Sequence, residues 1–91
     1  MSLERGQIVR ALAGRDKGGV FCVLDADGPW LLLADGKRRK TAAPKRKKAA
    51  HVQSAGPFGH PVLEKLLRGE PVTDSEIRRA LAAFRAQSRR I

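Results

Sequence analysis

A chain of 91 residues makes one domain with a thin core, burying about 60–65 % of the surface its unfolded form exposes, which excludes a large enclosed active site. With 19 Lys+Arg against 9 Asp+Glu, the net charge is +10, so polyanions are the expected partners. No stretch is long or apolar enough to cross a membrane, residues 1–10 lack the apolar run of a secretion signal, and the single cysteine, Cys22, permits no internal disulfide, so a cytoplasmic setting is expected.

Residues 6–53 read as short strands. Residues 7–13 are apolar with one Arg, 20–24 are β-branched and aromatic, and 30–34 form a third apolar run. The separators Gly14-Arg15-Asp16-Lys17-Gly18, Ala26-Asp27-Gly28-Pro29 and Asp35-Gly36 are turn sequences, and Asp-Gly between strand-like runs is a strong hairpin signal because both turn positions need positive φ. A fourth strand is expected at 37–41, held by the Asp35-Gly36 turn. Residues 44–48 read as an edge or loop, because Pro44 cannot donate to a ladder. Residues 50–53 are expected to form a fifth, closing strand. Four or five short strands with tight turns suggest a small barrel over residues 1–54.

Residues 55–60 contain Gly56, Pro57 and Gly59 and read as a linker. From there to residue 91 the apolar period becomes helical. Pro61 opens a short helix and Gly69 stops it. Thr73-Asp-Ser-Glu76 is a capping box, and Ile77, Ala80, Leu81 and Phe84 make one apolar stripe on the helix that follows. Two such helices are unstable alone. They pack on each other, on the barrel or on a protein partner of the 73–90 helix.

Most of the charge excess lies in residues 37–48. Lys37, Arg38, Arg39, Lys40, Lys45, Arg46, Lys47 and Lys48 stand there with no acid among them. Eight like charges so close repel one another, and a phosphate backbone relieves that cost. Arg15 and Lys17 are candidate phosphate contacts in the 14–18 turn, where the glycines let a backbone approach and offer N–H groups; Asp16 suits a local turn hydrogen bond. Phe21 and Trp30 are expected in the core. With four aromatic residues and no Tyr, stacking of single-stranded bases is not the expected mode.

The run from Gly6 through Gly14-Arg-Asp-Lys17-Gly18 to Val23 resembles the KOW motif: an apolar strand, a Gly-x-x-Lys-Gly-like turn and a second apolar strand. Extended through Leu32-Leu-Ala-Asp-Gly-Lys37-Arg-Arg-Lys40 and Pro44-Lys-Arg-Lys-Lys48, it resembles short bacterial KOW-domain proteins, similar to KOW-containing proteins of the archaeal and eukaryotic large ribosomal subunit. The resemblance covers residues 4–53. Arg38 departs from it, standing where an apolar residue is expected. It implies a Src-homology-3-like antiparallel barrel; with the two short helices read from the residues that follow, the expected fold is mainly β with an α tail. It also implies RNA binding, often to ribosomal RNA, with Gly18 as the motif glycine and Arg15 and Lys17 facing the RNA.

The expected function is thus an RNA-binding, ribosome-associated module acting through Arg15, Lys17, Gly18, residues 37–40 and residues 45–48. The rival readings are a DNA- or transcription-associated KOW module and a protein adaptor acting through its C-terminal helix. No nucleophile–base or carboxylate pair suggests an enzyme, and Cys22, His51 and His60 do not have the spacing of a metal site. No cofactor is expected.

Overall fold

In a computed structural model, residues 3–88 are described. Residues 1, 2 and 89–91, which belong to the expected 1–54 barrel and 61–91 helical extension, lie outside the described residues. The chain forms five strands, β1 (Ile8–Ala11), β2 (Val20–Asp27), β3 (Trp30–Ala34), β4 (Lys45–Lys48) and β5 (Val52–Ser54), then two helices, α1 (Pro61–Leu67) and α2 (Asp74–Ser88). A single 3-10 turn, Ala49–His51, joins β4 to β5.

All strand pairs are antiparallel, in the order β4-β3-β2-β1-β5. The edge strands β4 and β5 are consecutive in the chain, yet no ladder joins them, so the sheet is open. The 3-10 turn redirects the chain, and β5 pairs through Val52 with Ala11 and through Ser54 with Val9 on the far side. The three apolar runs and the final strand therefore lie close to their expected places, while the fourth strand does not. Residues 37–40 form a loop, and the strand is Lys45–Lys48.

The reason is Asp35. One oxygen of its carboxylate accepts the backbone N–H groups of Lys37, Arg38 and Arg39 at 2.8–2.9 Å, and the carbonyl of Arg39 accepts from the N–H groups of Asp35 and Gly36. Those amides are unavailable to a ladder. Pro44 ends the excursion, and the alternation that follows suits a strand: Lys47 is buried while Arg46 and Lys48 are exposed.

Each face of the sheet carries a distinct cluster, as period-two alternation requires. Val9, Ala11, Phe21, Val23, Leu31, Leu33 and Val52 form the inner one. On the outer face Ile8 and Cys22 meet Val62, Leu63 and Leu66 of α1 and Ile77, Ala80, Leu81 and Phe84 of α2, with Val20 and Leu24 at the edge. The expected stripe of α2 is thus covered by the protein's own sheet. Burial of Ile77, Leu81 and Phe84 contributes about 1.5–3 kcal/mol each. The capping box forms as expected: Thr73 Oγ1 accepts from the Glu76 N–H at 3.1 Å, and the Glu76 carboxylate accepts from the Thr73 N–H at 2.9 Å. The same carboxylate holds Lys65 of α1 at 2.7 Å. Residues 55–60 are more than a spacer. The Ala55 N–H donates to the Ile8 carbonyl, and the Phe58 ring meets Phe84 edge-on at 5.5 Å.

A bulge in β2 between Val23 and Asp25 shifts its register against β3, so that Asp25 and Asp27 stand opposite Leu32 and Trp30. The helices cover the outer face near Ile8 and Cys22, and the end carrying Trp30 and Leu32 is left half-exposed.

Candidate nucleic-acid interface

Three segments distant in sequence meet beside the inner face. The 14–18 turn is reached by the loop after β3 through an ion pair, in which Arg39 donates to Asp16 from Nε at 3.3 Å and from Nη2 at 3.2 and 3.0 Å. The same turn region is reached from β4, where Lys47 Nζ donates to the Ala13 carbonyl at 2.6 Å. Asp16 is only 8 % exposed and makes no solvated turn of the expected kind. The Arg39 guanidinium holds its carboxyl below the ordinary value of 3.8, and Lys47 and Lys45 add to that against the opposing effect of burial.

The eleven residues expected at the interface therefore divide by role. Arg15, Lys17, Lys37, Arg38 and Lys40 are exposed and Lys45 is half-buried. Among the described residues none of these six side chains has a carboxylate within 4 Å. Two others act inside the protein. Arg39 is held by Asp16, and Lys47, opposite Leu31 in the ladder, lays its apolar stem in the core before its ammonium reaches Ala13, the usual compromise of a long cationic side chain. Gly14 leaves room for it, since a Cβ there would lie 3.3 Å from Lys47 Nζ. Arg46 and Lys48 point to the opposite face, as alternation along β4 demands. The segment 37–48 is thus no single stripe. Its charges are shared between two sides of the sheet.

Gly18 serves the turn through its conformation, φ +85°. Its N–H donates to the Ala11 carbonyl, and those of Lys17 and Gly19 donate to Gly14 and Asp16. The N–H groups of residues 17–19 are therefore engaged within the turn, and contact with a phosphate falls to the side chains of Arg15 and Lys17.

Phe21 is in the core, 3 % exposed. Trp30 is not: it is half-buried on the outer face, with the Arg46 guanidinium 3.8 Å above its ring and Lys48 Nζ at 5.5 Å. The sequence holds a signal for this pairing, because a hairpin register that sets Leu31 and Leu33 inward sends Trp30 outward.

The loop is also fixed from below. Arg78 Nη1 donates to the Gly36 carbonyl at 2.6 Å, and the Thr41 N–H donates to the Asp74 carboxylate at 2.8 Å. Helix α2 thereby braces the strand-connecting loop that carries Lys37, Arg38 and Lys40. Neither bond could be read from local pattern, since each spans more than thirty residues.

Among the described residues no helix is long and apolar enough to cross a membrane. A scan against protein-family models and a search of curated proteins found no match to this chain.

Proposed function

We propose that the protein is a small RNA-binding module of the KOW type, a Src-homology-3-like barrel whose partner is structured, ribosomal RNA, working in the cytoplasm on ribosomal particles. The observation that carries this reading is the gathering of Arg15, Lys17, Lys37, Arg38, Lys40 and Lys45 from three segments joined by the Asp16–Arg39 pair, none of the six side chains being ion-paired among the described residues. The loop and turn that carry these cations have a braced backbone, which suits a folded polyanion because little backbone freedom is lost on contact. The patch is built of Lys and Arg with no aromatic stacking surface among its six side chains, which favours recognition of backbone and shape. The resemblance of residues 4–53 to KOW proteins supports RNA over other polyanions.

The adaptor reading is less well supported, because the stripe of α2 that would meet a partner packs on the sheet. The test is co-sedimentation with ribosomal particles together with equilibrium binding to ribosomal RNA, duplex DNA and polyglutamate. The proposal expects salt-sensitive binding that is strongest for ribosomal RNA. Equal affinity for DNA would transfer the module to transcription or chromatin, and equal affinity for polyglutamate would reduce it to a nonspecific cation.

A further inference from the structure

The uncovered end of the outer sheet face carries a second arrangement that the backbone patch does not use. Ladder register sets Asp25 opposite Leu32 and Leu32 opposite Arg46; the next row on the same face is Asp27, Trp30 and Lys48. Two carboxylates thus stand on β2, an apolar floor of Leu32 and Trp30 on β3, and two cations on β4. Acids and cations do not join: among the described residues neither Arg46 nor Lys48 has a carboxylate within 4 Å. Arg46 instead lies over the Trp30 ring at 3.8 Å. A cleft runs between the two edges, lined by Asp25, Asp27, Trp30, Leu32 and Arg46.

We infer that this cleft seats one unpaired RNA nucleotide carrying an amino-bearing base, an inference that rests on the RNA-binding reading above. A guanidinium backed by an indole presents a fixed flat surface, and unpaired bases stack on such planes. The charge order sets the direction of the nucleotide. Lys48 and Arg46 draw its phosphate to the β4 side, and the carboxylates repel phosphate from the β2 side. At that side Asp25 and Asp27 are acceptors only, so they favour a base edge that donates, such as the amino group of cytosine, and disfavour the carbonyl of uracil at the same position.

Trp30 is the only tryptophan and there is no tyrosine, so emission of the protein reports this site directly. The experiment titrates the full chain with oligocytidylate and oligouridylate of equal length, following Trp30 emission and the anisotropy of labelled oligomer, with folded ribosomal RNA alongside. Oligocytidylate is expected to change the emission and to bind about fivefold or more tightly than oligouridylate. The double substitution Asp25→Asn, Asp27→Asn, at two exposed positions, is expected to remove that preference, since an amide donates as well as accepts. Equal binding of the two oligomers by the natural chain, or binding of oligocytidylate with no change in emission, overturns the inference while ribosomal RNA binding still stands. Failure of ribosomal RNA to bind as well brings down the reading beneath it.

Discussion

Replacing Lys37, Arg38 and Lys40 by Gln tests the central claim with little risk to the fold. All three side chains are exposed, and what the loop needs from Lys37 and Arg38 is the backbone N–H on Asp35, which Gln retains. Six contacts, from Arg15, Lys17, Lys37, Arg38, Lys40 and Lys45, give an expected log–log salt slope of about −4 to −5. Three contacts give about −2 to −3. Between about 50 and 200 mM salt the natural protein should therefore lose about 300- to 2,000-fold in affinity, and the triple variant about 20- to 40-fold. The assay is anisotropy of labelled ribosomal RNA across a salt series. Lys47→Gln is the control that separates charge from placement. It removes a charge from the same basic segment, but one whose ammonium is held by Ala13. It should lower stability by about 1–2 kcal/mol, a fall of roughly 4–15 °C in Tm for a domain of this size, and leave the slope of the folded protein unchanged. A triple variant with the natural slope, or a Lys47→Gln variant whose slope falls as the triple's does, would refute the reasoning.

Three further outcomes follow from the packing. Asp16→Asn should cost about 1.5 kcal/mol at neutral pH, the low end for a charge-assisted pair, because the Arg39 side chain is 32 % exposed and can return to water. Since the folded pKa of Asp16 lies below its ordinary 3.8, its contribution is complete above that value and is lost as pH falls towards the folded one; urea melts should show the natural protein and the variant converging in acid, and a constant gap would exclude the pair as the cause. Burial pushes the Cys22 thiol up to about 12, with Asp35 adding to it, so at pH 8 a disulfide reagent should label the native protein far more slowly than the urea-unfolded chain; equal rates would contradict the packing of α1 and α2 over β2. Gly36→Ala should destabilise the loop and weaken RNA binding together, because Gly36 has φ +76° and a Cβ there runs into the carbonyl of Asp74; circular dichroism melts and the binding assay read the two effects, and an Ala variant as stable as the natural protein would show that α2 does not brace the loop.

The local chemistry of the chain determined much by itself. Three apolar runs, the glycine turns at 14–18 and 28–29, the Pro61 helix start and the Thr73–Glu76 box all form where their residue types place them, because each depends on neighbours within a few positions. The density of cations in residues 37–48 was equally plain. Which of them are available was decided only by tertiary structure. Asp35 captures three amides and turns an expected strand into a loop. The true fourth strand then sends Lys47 inward and Arg46 and Lys48 outward, and Asp16 claims Arg39 from 23 residues away. Trp30 moved from expected core to an outer face for the same reason: strand alternation is local, but which side of a strand the helices cover is not. A run of like charges has no preferred direction until the backbone beneath it does, and that backbone is set by partners the linear pattern does not bring together.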